Sequence, residues 1–337
     1  MLDLLKYRYA YLLISALIMI PGVIFMALGG LRPGIAFSGG TEPTVVLPAG
    51  VRPSTGAVER LVASVSYTAQ GHTVRLDDAH VQRVRDQRAP ERPAYLIRTR
   101  DIGANVAAQN RLLAALKAHY GAVEALGFTT VSGTVAADTA TRAVQAVLLA
   151  AGAILLYMAW AFRKLPHPFV YGGAAIAALL HDVVVVLGLF AIAGYFFNVR
   201  IDALFVPAVL TVIGFSVHDT IVVFDRVREN LRRHSGESYY SVVNGALAQT
   251  LGRSLSTSLT VLLTLVALLL FGGASIRIFV LTLLIGIASG TYSSIFTATP
   301  LVVLWETGEL SRLWRRRTRR GARARQPMPS ESGGTAP

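Results

Sequence analysis

An aspartate inside an apolar run is the residue of this 337-residue chain with the clearest potential for chemistry. The run begins near Ala203 and continues to Phe224, and Asp219 lies in its second half. A run of that length can cross a bilayer as one helix. A carboxylate there costs several kcal/mol unless it is paired, hydrated or protonated. Asp219 therefore predicts either a functional, proton-exchanging group or a simple hydrogen bond to a neighbouring helix.

The partner of Asp219 has to come from elsewhere. Arg226 follows on the same helix face, but seven residues correspond to about 10 Å of helix rise, too far for a direct pair. Another membrane span, water or a second subunit must supply the partner.

A later run offers a candidate partner in a stripe of polar residues at helical spacing. The stripe consists of Gln249, Arg253, Thr257, Thr260 and Thr264. Residues at this spacing share one helix face. Because a polar face against lipid is unfavourable, we expect the stripe to face the bundle interior or a hydrated path, with Arg253 at its mouth. Alternatively, Arg253 simply extends its charge to the membrane surface.

A second aspartate, Asp182, lies well inside another apolar run. His181-Asp182 and His218-Asp219 are similar dipeptides in successive runs. Chains of intramembrane Asp, Glu and His serve as proton relays, so Asp182 and His218 are further candidates. Either histidine could instead be a hydrogen-bonding core residue. We predict no metal site, because adjacent helical residues point about 100° apart and rarely converge on one ion.

Two glycine patterns have structural interpretations. Gly286 and Gly290 form a GxxxG pattern, which predicts close helix packing. Phe37-Ser38-Gly39-Gly40-Thr41 follows the first apolar run and predicts a tight turn. No Gly-Lys-Ser/Thr follows it, so it is not a nucleotide-binding loop.

The motif content favours a transport protein over an enzyme. The sequence contains no cysteine, and we find no Ser/His/Asp triad, zinc spacing or nucleotide motif. We therefore predict no catalytic residues and no cofactor, and any active transport would draw on an ion gradient.

Composition indicates an integral membrane protein, with 53% hydrophobic and 15% charged residues and a mean hydropathy of +0.52. The net charge of +13 does not favour a nucleic-acid partner, because much of the excess lies beside apolar runs and in the C-terminal tail. Basic residues at those places indicate topology and contact with anionic lipid.

The apolar runs predict an α-helical membrane protein with six transmembrane helices, the bundle of a half-transporter. The runs cover residues 11–28, 142–162, 169–190, 203–224, 254–271 and 278–305. The first is expected to be a retained span and not a cleaved signal peptide. We divide the chain into residues 1–30 with the first span, an α+β domain at 31–140, a five-helix bundle at 141–305, and a basic disordered tail at 306–337.

Residues 31–140 predict a ferredoxin-like α+β domain between helices 1 and 2. Strands are expected at residues 44–47, 73–76, 81–84, 94–100 and 122–130, helices at 54–67 and 104–119, and a loop at 83–93.

Basic residues predict the topology. They cluster at the N-terminus, after the second run, after the fourth run and in the tail. Both termini are therefore expected in the cytoplasm and the α+β domain outside. The loop 226–252 would then be cytoplasmic, with a helix at 236–251 lying on the membrane surface.

Residues 214–230 resemble the signature of the SecF family of bacterial protein-export membrane subunits. The stretch reads GFSVHDTIVVFDRVREN. The turn motif at residues 37–41, His181-Asp182-Val183 and residues 249–254 are similar to further family motifs in the same order. The resemblance covers essentially residues 1–305.

The resemblance implies a half-transporter of the resistance-nodulation-division superfamily in the cell (inner) membrane. It would act with SecD, here a separate chain, and with the SecYEG translocon, using the proton-motive force to pull or release preproteins. Membrane lipids complete the expected partners. Asp219 and Arg253 would form the proton relay with an aspartate of SecD, and Asp182 matches a recurring position. Ala36 replaces the family's usual Asp, and His218 its usual Asn.

Two alternatives remain open at the level of the sequence. One is half of a proton-driven small-molecule or lipid exporter of the same superfamily, which usually has a larger outer domain and a duplicated, twelve-span chain. The other is a structural membrane scaffold, in which Asp219→Asn would leave function intact.

Overall fold

Six helical segments long and apolar enough to cross a membrane form a bundle. The computed structural model describes residues 3–69, 72–85, 91–103, 105–163, 167–234 and 236–309. The segments are α1 (Arg8–Ala27, after a 3-10 turn at Leu4–Tyr7), α5 (Gly133–Phe162), α6 (Pro168–Phe197), α7 (Phe205–Arg233), α8 (Tyr239–Phe271), and α9 (Arg277–Ser293), which continues through a π-helical turn (Ser294–Ala298) into α10 (Thr299–Glu306). The predicted six spans are confirmed.

The bundle has an inner and an outer layer. In α6, α7 and the α9–α10 segment, 50–56% of the most apolar window is buried, against 6–17% in α1, α5 and α8. The inner helices pack through residues such as Ile213, Val223 and Phe224, which are at most 2% exposed. The outer helices therefore leave broad faces for lipid or for another membrane protein.

The helix α8 corrects the prediction of a separate surface helix at 236–251. Ser238 caps its N-terminus by accepting a hydrogen bond from the backbone N–H of Ser241, and the helix runs unbroken to Phe271. Val243 and Leu247 are buried in the bundle core. Their apolar spacing fits a bundle helix as well as a surface helix, so periodicity alone could not distinguish the two.

The prediction of a loop at residues 226–252 is wrong for the same reason. Its first residues belong to α7, which ends at Arg233, and its last to α8, which begins at Tyr239. The basic tail predicted at 306–337 lies outside the described residues from 310 onward.

A sheet unit lies between α1 and α5. Its elements are β1 (Arg32–Pro33), α2 (Ile35–Ser38), β2 (Gly40–Val46), α3 (Thr55–Ser64), β3 (Ser66–Ala69), β4 (His72–Arg75), β5 (His80–Arg85), β6 (Pro93–Arg98), α4 (Val106–Tyr120) and β7 (Glu124–Val131). Four strands form an antiparallel sheet in the order β5-β6-β2-β7, and β3 and β4 form a separate hairpin. Helices α3 and α4 share a core with the sheet through Val58, Leu112 and Ile97.

Boundaries in the sheet unit differ from the prediction at several places: β2 begins at Gly40 and not at residue 44, and β3 was not predicted. The helix expected to reach residue 67 ends at Ser64, because the chain enters the β3–β4 hairpin at Ser66. The loop expected at 83–93 is shorter at both ends, since β5 continues to Arg85 and β6 begins at Pro93; residues 86–90 lie outside the described residues.

A short parallel pair joins the sheet unit to the bundle. The strand β8 (Arg200–Ile201), in the connection between α6 and α7, pairs with β1 immediately after α1. The backbone N–H of Gly34 donates to the carbonyl of Ile201 at 2.8 Å. The α6–α7 connection is therefore fixed to the start of the sheet unit.

Helices α1 and α6 meet through glycine. A Cβ atom built on Gly188 would lie 2.6 Å from the Cα of Gly22, a distance that side chains do not tolerate. The sequence analysis did not identify this contact, because the two glycines lie on different helices with no shared motif.

We expect Gly188→Leu to destabilise the protein by about 1–3 kcal/mol, because the added side chain must push α1 away from α6. Unfolding in mixed detergent micelles measures this change. Gly152→Leu on α5 is the matched control, since a Cβ there meets nothing within 4 Å. Equal stability of both variants would show that α1 does not need this contact.

Candidate functional site in the helix bundle

The carboxylate of Asp219 is held between three helices. Asp219 lies on α7 and is 8% exposed. Its Oδ1 accepts a hydrogen bond from Ser254 Oγ of α8 at 2.7 Å. Its Oδ2 accepts one from Ser294 Oγ, at the start of the π-helical turn, at 2.6 Å. Each carboxylate oxygen thus has one hydroxyl donor from a different helix.

The carboxylate of Asp182 is buried more deeply. Asp182 lies on α6 and is 1% exposed. Its Oδ2 accepts hydrogen bonds from Ser216 Oγ of α7 at 2.5 Å and from Ser293 Oγ at 2.7 Å. Its Oδ1 accepts one from Ser289 Oγ at 2.6 Å and lies 3.0 Å from His181 Nδ1. This carboxylate therefore has contacts from α7 and α9 in addition to its own helix.

Consecutive serines connect the two carboxylates. Ser293 ends α9 and contacts Asp182, whereas Ser294 begins the π-helical turn and contacts Asp219. Neighbouring side chains on a helix diverge by about 100°, which lets one backbone segment serve two acids on two helices. π-Helical turns are rare and occur frequently at functional sites. The hydrogen-bond donors of the two carboxylates are therefore adjacent residues of one backbone segment.

Hydroxyl partners suit a carboxylate that changes its protonation state. A serine hydroxyl donates to an ionised carboxylate and can also accept from a protonated one. Within the described ranges, no lysine or arginine lies within ion-pair distance of Asp182 or Asp219. Each acid therefore has hydrogen-bonding partners in its present surroundings without a lysine or arginine.

The predicted polar stripe does not face the bundle interior of this chain. Its residues Gln249, Arg253, Thr257, Thr260 and Thr264 are all exposed. The inward face of α8 carries Thr250, Ser254 and Ser258 instead, each at most 7% exposed.

Hydrogen bonds of the threonines to their own helix explain why the polar stripe can face away from the bundle interior. Thr260 Oγ1 donates to the carbonyl of Ser256 at 2.8 Å, and Thr264 Oγ1 to that of Thr260 at 3.0 Å. A threonine that bonds its own helix backbone leaves no unpaired hydroxyl, so it does not require a polar environment. The smaller serines allow the close helix approach that buries Ser254 and Ser258.

Arg253 is separated from Asp219 in this conformation. It lines a polar cavity of about 450 Å³ together with Asp225 and Arg226. Gln249 Oε1, in the same cavity, accepts from Arg226 Nε at 2.6 Å. Arg253 forms no hydrogen bond or ion pair with any residue that the structure describes. The residue that contacts Asp219 is its chain neighbour, Ser254.

The two histidines have opposite environments. His218 is exposed on α7, where the helix turns it away from its neighbour Asp219. The predicted placement of His218 in a relay with Asp219 is therefore not found within this chain. His181 is 3% exposed and lies beside Asp182 instead.

The predicted glycine motifs lie in two places. Gly286 and Gly290 face α7: a Cβ on Gly286 would meet Val212 at 2.1 Å, and one on Gly290 would lie 3.6 Å from Asp182 Oδ2. Gly290 therefore borders the Asp182 site.

The turn motif lies at the sheet end of the bundle, where Phe37 and Ser38 end α2, and Gly39 (φ +73°) and Gly40 (φ +131°) lead into β2. Thr41 fixes the turn, because its Oγ1 accepts from the backbone N–H of Ile102 at 3.0 Å.

Five serines of the site were not predicted as functional residues. They are Ser216, Ser254, Ser289, Ser293 and Ser294. Three of them, Ser289, Ser293 and Ser294, lie in or just after the Gly286–Gly290 pattern. Ser216 lies three residues before Asp219 on one helix, but it contacts Asp182 of α6, so its spacing in the sequence does not identify its partner.

Comparisons of the chain with family models and with known proteins all identify the same family. The family described as "Protein export membrane protein SecD/SecF, C-terminal" matches residues 112–308. The protein translocase subunit SecF of Thermobaculum terrenum is 48% identical over 327 residues, covering 94% of this chain and 98% of that protein. The protein translocase subunit SecDF of Thermus thermophilus is 41% identical over 181 residues, covering 54% of this chain and 23% of that protein.

A solved structure supports the same relationship. The crystal structure of SecDF from Thermus thermophilus, described as a translocon-associated membrane protein, superposes with a TM-score of 0.72 at 29% sequence identity. The alignment covers 90% of this chain and 38% of that chain, so this chain spans less than half of the solved protein.

Six apolar helices around two buried carboxylates define a multi-pass membrane protein with ionisable groups in its interior. The near-full-length match then shows that the chain belongs to the SecF family of protein translocase subunits, within the SecD/SecF export proteins. The resemblance seen in the sequence motifs is confirmed.

We expect Ser254→Ala to lower stability by about 1–3 kcal/mol, because it leaves one oxygen of a buried carboxylate without its donor. Unfolding in mixed micelles measures the loss. Ser256→Ala, two residues away on the exposed face of α8, is the control and should change stability little. If the two variants are equally stable, the Ser254–Asp219 hydrogen bond does not contribute.

Proposed function

We propose that this chain couples the proton-motive force to preprotein translocation and release, as the partner of a SecD-type subunit in the Sec translocase. Relatives that match nearly its whole length are named protein translocase subunit SecF, and relatives named SecDF support a partnership with SecD. Its sheet unit would be a ferredoxin-like domain on the outer side of the cell membrane, with both termini in the cytoplasm.

The observation that carries the proposal is the buried, hydroxyl-bonded carboxylate of Asp219 beside an exposed polar surface. The exposed face of α7 carries His218. The exposed face of α8 carries Arg253 and the threonines of the polar stripe, Thr257, Thr260 and Thr264. A charged residue on a membrane helix needs a protein or water neighbour. A SecD-type bundle covering this surface would provide one, together with its own aspartate.

The neighbouring positions of Ser254 and Arg253 suggest how protons could drive motion. Ser254 now contacts Asp219, and Arg253 lies one residue, or about 100° of helix rotation, away. A protonated Asp219 is satisfied by the hydroxyl of Ser254, whereas an ionised one is stabilised more by a guanidinium. Proton loss would therefore favour rotation of α8 that brings Arg253 inward, and proton binding would reverse it.

Asp182 extends this relay. It shares the Ser293–Ser294 segment with Asp219, so rearrangement of the π-helical turn would alter the donors of both acids together. In this proposal Asp219 exchanges protons beside the partner bundle, and Asp182 responds through the shared turn.

We expect Asp219→Asn and Arg253→Ala to remove the part of preprotein export that an uncoupler abolishes in the wild type. The reason is that neither variant can alternate between a protonated acid and an ion pair. Export into membrane vesicles, measured with and without uncoupler, tests this. Asp138→Asn is the control, because Asp138 is an exposed aspartate of α5 that pairs with Arg142 and does not line the Arg253 cavity.

Two results would contradict the proposal. Normal uncoupler-sensitive export by Asp219→Asn would exclude the relay and favour a structural scaffold. Normal export combined with lost efflux of a small molecule or lipid would favour an exporter of the same superfamily.

The partner surface gives a separate prediction. We expect Thr257→Trp to reduce copurification of a SecD-type chain, because a large ring on the exposed face of α8 blocks close helix contact. Leu13→Trp, on the exposed face of α1, is the control. Full recovery of SecD with Thr257→Trp would place the partner on a different face.

A further inference from the structure

A polar cavity of about 310 Å³ lies between the sheet unit and the end of the bundle, away from the two carboxylates. Its walls include the Gly39–Gly40 turn, Gly133 at the N-terminus of α5, Arg98 of β6 and Arg200 of β8. The proposed function above assigns it no role.

Arg200 is the unusual member of this cavity. Its Nε is buried and has no hydrogen-bond partner among the residues that the structure describes. No ion pair within the same residues includes its guanidinium. A buried donor without a partner is costly, and it indicates that something outside the chain completes it.

The other charged groups of the cavity already have partners. Arg98 pairs with Glu42, and Arg100 with Asp77 and Asp78. The remaining ones are also engaged: His80 contacts Glu59, and Asp101 Oδ1 accepts from the backbone N–H of Gly103 at 2.9 Å. None of these acids is within ion-pair distance of Arg200.

The charge around Arg200 is positive. Burial, followed by the charges of Arg98 and Arg32, lowers the pKa of Arg200, and Glu42 opposes this only in part. Arg32 itself donates to the neutral amide of Asn198 at 2.7 Å. Three arginines therefore converge beside one carboxylate, and that carboxylate is bound to Arg98.

We propose that this cavity binds a phosphate group through Arg200, and that the phosphate belongs to the headgroup of an anionic phospholipid. Guanidinium groups bind phosphate with paired, charge-assisted hydrogen bonds. The N-terminus of the 30-residue helix α5 adds a favourable dipole at the same cavity.

The depth of the site fits a lipid headgroup. The end of α6 exposes Tyr195, Phe196 and Phe197, and Arg200 follows within three residues of Phe197. Aromatic residues at helix ends mark the boundary between hydrocarbon and headgroups. Arg200 therefore lies where phospholipid phosphates are concentrated, at the junction of bundle and sheet unit.

The test uses the purified full-length chain in an uncharged detergent. Native mass spectrometry measures binding of dioctanoyl phosphatidylglycerol, dioctanoyl phosphatidylcholine and inorganic phosphate. We expect phosphatidylglycerol to bind most tightly, and Arg200→Gln to weaken it about tenfold by removing charge-assisted hydrogen bonds. Arg92→Gln is the matched control, because Arg92 lies in the same sheet unit and pairs with Glu124.

The melting temperature, measured with and without lipid, distinguishes lost lipid binding from a folding defect. Since Arg200 is half-buried and has no ion-pair partner among the described residues, Arg200→Gln should melt near or above the wild-type temperature without lipid, and added phosphatidylglycerol should no longer raise it. Arg200→Lys, which keeps the charge, should retain part of the lipid effect.

The outcomes separate the ligand sources. Inorganic phosphate that displaces the lipid at equal concentration would show that the site takes free phosphate, and would overturn the headgroup assignment. Unchanged lipid binding by Arg200→Gln, or no binding by the wild type, would overturn the site itself.

Discussion

The burial of two carboxylates inside an apolar bundle is the constraint on which the rest of this structure depends. A carboxylate in such surroundings must receive hydrogen bonds at both oxygens, or its burial becomes prohibitive. Asp182 and Asp219 meet this requirement with five serine hydroxyls from four helical segments. The inner helices therefore have to stand close together, and Gly286 and Gly290 allow α9 to approach α7 closely enough.

The donors to the two carboxylates are serine hydroxyls and not lysine or arginine, and this difference bears on the proposed function. An arginine bound to either acid would hold it ionised, because the ion pair stabilises only that form. Hydroxyl groups accommodate both forms, and they leave Arg253 outside the site, one residue from Ser254. In the proposed function, such an acid alternates between two kinds of partner and so couples proton exchange to helix movement.

Much of the architecture could be predicted from sequence because its signals are local. Long apolar runs predicted six spans, and strand and helix patterns predicted α3, α4 and five strands of the sheet unit, although not β1, α2 or β3. The orientation of α8 could not be predicted, because both of its faces carry hydroxyl residues. Only the structure shows that Thr260 bonds its own backbone whereas Ser254 reaches Asp219. Contacts between distant segments, such as Gly22 with Gly188, likewise have no local signal.

The parallel pair of β1 and β8 makes the sheet unit a mechanical extension of the inner helices. The β8 strand lies between α6, which carries Asp182, and α7, which carries Asp219. The β1 strand opens the segment that leads into the sheet. A shift of α6 against α7 would therefore move β8 and, through its two paired residues, the start of the sheet unit. The sheet unit and the two helices that carry the buried carboxylates are therefore parts of one connected frame.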